Sequence, residues 1–248
     1  MTEKISIEQL QRQCADVTEN WKHLQERIAA AAARAGRDRS EITLLAASKT
    51  VAPEVINHAI GLGLTHIGEN RVQELCAKYD YLHTDKVQVH LIGHLQTNKV
   101  RQCADKVQMI QSVDSLRLAQ EISRVCVKLD RRMDVLLEVN IGGEAQKSGI
   151  APAELTELCL QTAQLPMLTV RGLMTIPPVC TQNGEVQKYF SKMYQLFLDM
   201  KAKKLDNVYM DCLSMGMSQD YEAAIEAGAT MIRVGSSLFG ARTYPATH

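Results

Sequence analysis

Net charge is the first thing this 248-residue chain lacks, since 28 Lys and Arg balance 28 Asp and Glu. Proteins that bind nucleic acid by neutralising phosphates carry a basic excess, so this balance argues against that class. Aromatic residues are also few, at 4%, although 46% of the chain is apolar, more than a disordered chain carries. No stretch approaches the roughly 18 apolar residues of a membrane-spanning helix. The N-terminus alternates charged and apolar side chains and has no signal-peptide core. Seven cysteines are present, at 14, 76, 103, 126, 159, 180 and 212, yet none forms a Cys-x-x-Cys pair or a zinc-finger spacing. Free thiols of this kind suit a reducing compartment, so the cytoplasm is the expected location.

What is present is an alternation of two textures. Ser6 and Gln9 make a capping-box pattern. Leu10, Val17, Trp21, Leu24 and Ile28 then recur at helical spacing until Gly36, so one or two amphipathic helices open the chain. A short apolar run at 42–47 is too brief for a helix and reads as a buried strand. Pro53 starts a helix that runs to about Gly61. Further apolar runs begin near Leu64, Val87, Val107, Met133, Leu168, Val208 and Met231. Helical patterns separate them at 71–81, 96–104, 115–129, 153–164, 186–203 and 219–227, with Ser218 marking a helix start. Eight strand–helix units between residues 42 and 240 predict a parallel sheet able to close into a barrel. An open doubly wound sheet has the same periodicity, but no Gly-rich dinucleotide fingerprint follows the first strand. No linker breaks the chain, so one domain over 1–248 is expected, with 1–38 as a helical segment and 42–240 as the barrel.

In such a barrel, chemistry collects at the C-terminal ends of the strands. The first strand ends Ser48-Lys49-Thr50; Lys49 either opens a solvated loop or serves as an amine nucleophile toward an aldehyde. The second ends Glu69-Asn70 and the third Gly93-His94-Leu95-Gln96, where Gln96 fits an ordinary helix start. A glycine-rich loop at 142–149 follows Asn140 and is either a lid, with Lys147 as a transient acceptor, or a plain surface loop. Met174 closes the sixth strand and, taken alone, suits core packing. The seventh and eighth strands end Ser214-Met215-Gly216-Met217-Ser218 and Arg233-Val234-Gly235-Ser236-Ser237. Small hydroxyl residues and glycines at those two ends form the usual barrel phosphate site, and Gly235 allows close approach to the backbone. Arg233 is either a buried ion-pair partner or a ligand contact. A lysine, an arginine and a phosphate cradle together fit a phosphorylated aldehyde, of which pyridoxal 5′-phosphate (PLP) is the obvious one.

At residues 44–50, 68–74, 90–99, 172–178, 214–220 and 232–242 the chain resembles the pyridoxal phosphate homeostasis proteins, in order and over nearly its whole length. That family is similar to the N-terminal barrel domain of alanine racemase, the type III fold of PLP enzymes. The resemblance implies an α/β fold: a single (β/α)8 TIM-type barrel with an extra N-terminal helical segment and no C-terminal β domain. It implies that Lys49 holds PLP as an internal aldimine and that Arg233 faces the pyridine nitrogen. It also implies that Ser214, Gly235 and Ser236 hold the phosphate, while Asn70 and Met174 line the ring. The racemase takes its second base from a tyrosine of a separate domain, and here the sequence ends six residues after Arg242, so efficient racemisation is not expected. A PLP-binding protein that buffers or delivers the cofactor is expected instead. It would be a monomer, with apo PLP-dependent enzymes as candidate recipients and with no metal, nucleic acid or membrane partner. The alternatives are a low-activity amino-acid racemase using His94 or water as second base, and a phosphate-binding barrel in which Lys49, with Glu69 or His94, meets a sugar carbonyl.

Overall fold

The computed structural model describes residues 6–144, 146–180 and 184–240. Its first element, α1 (Ile7–Arg34), is one continuous helix that starts at the expected capping box, with Ser6 and Gln9 bonding each other's backbone N–H. The chain turns away at Gly36, whose φ of 66° carries no Cβ penalty in glycine.

Eight strands follow: β1 (Thr43–Ala47), β2 (His66–Glu69), β3 (Gln88–Leu91), β4 (Met109–Val113), β5 (Met133–Glu138), β6 (Leu168–Met174), β7 (Val208–Ser214) and β8 (Met231–Val234). Each pairs in parallel with the next, and β8 pairs with β1 through Thr43 opposite Met231, so the sheet closes into a barrel. The open-sheet alternative is thereby excluded. The intervening helices are α2 (Pro53–Gly61), α3 (Val72–Lys78), α4 (Val100–Cys103), α5 (Leu116–Lys128), α6 (Leu155–Ala163), α7 (Glu185–Ala202), α8 (Tyr221–Glu226) and α9 (Ser236–Phe239). Several are shorter than the sequence pattern predicts because a terminal turn tightens into 3-10 geometry, at Tyr79–Tyr81, Thr97–Lys99 and Pro152–Glu154. The helix expected from 219 begins at Tyr221, and Ser218 does not cap it.

The N-terminal helix is a wall of the barrel. The helix after β8 has only four residues, too short to cover the seam between β8 and β1. Instead α1 packs against α2, α8 and α9 and buries Val17, Leu24, Ile28, Ala31 and Ala32 in the main core. Arg27 and Arg34 pair with Glu222 of α8 along its edge. Asn20 donates to the Leu238 carbonyl of α9 at 3.0 Å.

Inside the barrel, Leu45, Ile92, Met109, Leu136, Met174, Cys212 and Met231 form a second, smaller apolar cluster. One irregularity matters for the site. Between the Val170–Val208 and Gly172–Cys212 pairs, one residue of β6 faces three of β7, a bulge that re-aims the end of β7. Gly172 is required there, because a Cβ would overlap the Cys212 carbonyl.

Candidate functional site at the strand ends

Lys49 lies two residues past the end of β1, after Ser48, and is half-buried. It sits in a turn closed by the Val51 N–H on the Ser48 carbonyl at 3.1 Å. Ser48 is buried, and its hydroxyl donates to Glu69 Oε1 at 2.7 Å. Burial raises the Glu69 carboxyl above its ordinary range, while Lys78 and the Ser48 hydroxyl oppose that rise.

On the neighbouring strand, with Leu45 of β1 opposite it, Arg233 is an inward residue of β8 and only 4% exposed. Its Nη1 donates to Ser214 Oγ at 2.6 Å and its Nη2 to the Thr175 carbonyl at 2.8 Å. Burial pulls its guanidinium down to about 10, still well above neutrality, so the charge remains. The Ser214 hydroxyl in turn donates to Gln111 Oε1 at 2.7 Å, and Gln111 Nε2 meets His90 Nδ1 at 2.9 Å. Burial, with His66 nearby, depresses His90 to about 3. A neutral ring accepts at Nδ1, so every donor and acceptor from Arg233 to His90 points one way. Ser214 therefore serves in this structure as the acceptor that fixes Arg233. Composition and spacing gave no warning of Gln111 or His90, because only closure brings β3, β4, β7 and β8 around one interior.

The loops after β7 and β8 are joined through Ser218. Its hydroxyl oxygen accepts the N–H groups of Gly235 at 3.1 Å and Ser237 at 3.3 Å. Two backbone donors thus converge on one oxygen, the arrangement an anion uses. The same cradle borders the lysine: a Cβ on Gly235 would stand 3.3 Å from the carbonyl of Ala47, two residues before Lys49. Ser236 opens α9 in this cradle. Ser218 belongs to it as well, a role that a helix-start reading conceals.

Asn70 follows β2, and its buried Oδ1 has no hydrogen-bond partner among the described residues. Met174 closes β6 fully buried, in register with Glu138 on one side and Ser214 on the other. Glu138, unmarked in the sequence, closes β5 at 6% exposure with Oε2 also unpartnered. Burial, reinforced by Asp114 and opposed by Arg233, raises its carboxyl to about 7. His94 is more than half exposed and lies 3.4 Å from the Asp114 carboxylate. In the glycine-rich loop, the Lys147 amine bonds the Pro177 carbonyl at 3.1 Å and pairs with Glu144 at 2.6 Å. Arg242 lies outside the described residues. Among the described residues no group of His, Cys, Asp and Glu is arranged to hold a metal, and no helix is long and apolar enough to cross a membrane.

These residues fit a phosphorylated aldehyde. An amine, a fixed cation, an anion cradle and orphaned acceptors share one end of the barrel, and nothing in the donor set favours a metal. Residues 15–243 match the family described as alanine racemase, N-terminal domain. The pyridoxal phosphate homeostasis protein of Aquifex aeolicus is 46% identical over 226 residues, covering 91% of this chain and 98% of that protein. The structure of PipY from Synechococcus elongatus with PLP bound is similar at a TM-score of 0.76 and 36% identity, covering 87% of this chain and 99% of PipY. An alanine racemase of Clostridium difficile, at 17% identity and a TM-score of 0.69, shares the fold; the alignment covers 94% of this chain and 58% of the racemase.

Proposed function

The chain belongs to the family of pyridoxal phosphate homeostasis proteins, and on that premise we propose that it binds PLP through Lys49 and buffers or delivers the cofactor. The observation that carries this reading is the convergence at one barrel end of the Lys49 turn, the buried Arg233 and the Gly235–Ser218 cradle. Lys49 would hold the aldehyde end, Gly235, Ser236 and Ser218 the phosphate, and Asn70 and Met174 the flank of the ring. Arg233, fixed by Ser214, would stand toward the ring nitrogen. PLP, when bound, supplies an aldehyde for an amine and a ring that withdraws electrons.

Arg233 bears on what the site does with that ring. A fixed guanidinium opposes protonation of a neighbouring ring nitrogen and so weakens electron withdrawal. That suits holding a cofactor better than driving carbanion chemistry. The name of the 46%-identical relative likewise refers to homeostasis rather than to a reaction. We read the chain as a cytoplasmic monomer and a single functional unit, with apo PLP-dependent enzymes as recipients.

The test is the visible absorbance of purified protein with and without PLP. Wild type is expected to acquire the band of bound cofactor, and borohydride to fix the cofactor on Lys49, as mapped by mass spectrometry. Lys49→Ala is expected to do neither. Absence of the band in wild type at excess PLP would overturn the reading. Solvent deuterium entering the α-carbon of amino acids, lost in Lys49→Ala, would favour a racemase instead.

A further inference from the structure

Thr50, immediately after Lys49, has a φ of 64°. That is a left-handed conformation which β-branched residues rarely hold. It stands third in the turn Ser48-Lys49-Thr50-Val51, where turns with positive φ ordinarily use Gly or Asn. Strain of this kind persists only where the surroundings over-determine it. Here the surroundings are supplied by α3 and the end of β2.

Glu74 Oε2 accepts the Thr50 backbone N–H at 3.0 Å. Lys78, one helical turn further on, donates to the Ser48 carbonyl at 2.8 Å and to Glu69 Oε1 at 3.0 Å, and lies 3.9 Å from Glu74. Glu69 also takes the Ser48 hydroxyl. The backbone on both sides of Lys49 is thus held by one ion cluster. The i,i+4 spacing of Glu74 and Lys78 sets both on one face of α3. The Lys78 side chain is 12% exposed and that of Glu69 0%, so the cluster is not an ordinary surface pair, which solvent would screen.

We propose that Glu74 and Lys78, anchored through Glu69, are positioning residues that hold the strained turn so that the Lys49 side chain is presented to its aldehyde. The proposal rests on the reading of Lys49 as the PLP-holding residue. None of the three is assigned a contact with the cofactor. Their effect is orientational, and misplacement of a reacting group by about 1 Å can cost up to roughly a hundredfold in rate.

The experiment compares wild type with Glu74→Ala, Glu74→Gln and Lys78→Met. The first measurement needs no cofactor: hydrogen exchange of the Thr50 amide by NMR. Glu74→Ala should speed exchange about tenfold or more, because the amide loses its acceptor to solvent. Glu74→Gln should stay near wild type, because its amide oxygen still accepts. The second measurement is the rate at which the PLP absorbance band appears on mixing. Glu74→Ala and Lys78→Met should load about tenfold more slowly, with Glu74→Gln close to wild type. Thermal midpoints of all four proteins separate slow loading from general unfolding. Unchanged Thr50 exchange in Glu74→Ala, or wild-type loading rates in both Glu74→Ala and Lys78→Met, would overturn the proposal. A wild type that never loads overturns the PLP reading and with it the purpose assigned to the clamp; the exchange result separately decides whether the turn is held.

Discussion

Glu138 and Arg233 show how burial sets charge at single residues. Both are pushed toward their neutral forms, yet the guanidinium starts so high that it stays charged while the carboxyl is brought to about 7. A carboxyl raised from an ordinary 4.5 binds its proton more tightly folded than unfolded. Between those two values the folded state therefore carries more protons, and stability falls as pH rises. Glu138→Gln removes that titration. The variant should match wild type near pH 4 and exceed it by on the order of 3 kcal/mol at pH 8, measured by urea unfolding across that range. A constant difference at all pH values would show that Glu138 ionises freely. The sequence marked Lys49, Asn70, Ser214 and Gly235 as polar or small residues at strand ends, and Arg233 as a charge within the last strand. It left Glu138 and Gln111 unmarked, since a polar residue within or closing a strand declares its interior face only once the barrel's hand and bulges are set.

Elements follow local rules, and their assignments to places do not. The capping box at Ser6 and Pro53 opening α2 are each legible within four residues. That α1 forms the outer wall beside β8 is a matter of space, decided by the one-turn helix that follows β8. Its apolar stripe fits any covering, and only the barrel says which seam needs one. Ile28 is fully buried there. Ile28→Ala should cost about 2–5 kcal/mol and lower the unfolding midpoint of the whole barrel in a single step. Loss of α1 helicity with the remaining ellipticity intact would show that the helix is an appendage. Ser218 teaches the same lesson in reverse: a serine before a helix reads as its cap, but here its oxygen serves the next loop's N–H groups.

At the scale of the molecule, a ligand that spans the seam should act on global stability. The cradle joins the loops after β7 and β8, and a Cβ at Gly235 would stand 3.3 Å from the Ala47 carbonyl at the end of β1, so PLP would tie the closing strands together. Binding to the folded state alone stabilises by mass action, about 2.7 kcal/mol at a hundredfold excess over Kd. The thermal midpoint is therefore expected to rise with PLP concentration in wild type, and to rise less in Lys49→Ala. A midpoint indifferent to PLP would mean that the folded protein does not bind it preferentially.

Periodicity and punctuation determined the eight strand–helix units, and strand ends determined where chemistry would gather, because both depend on residues near in sequence. Closure, and the relay from Arg233 through Ser214 and Gln111 to His90, were decided only in three dimensions. So were the covering role of α1 and the hold of Glu74 and Lys78 on the Lys49 turn. Each of these depends on groups from separate strands or helices meeting across space. Hydrophobic pattern sets which face of an element is buried, whereas packing and register select the polar partners that meet there.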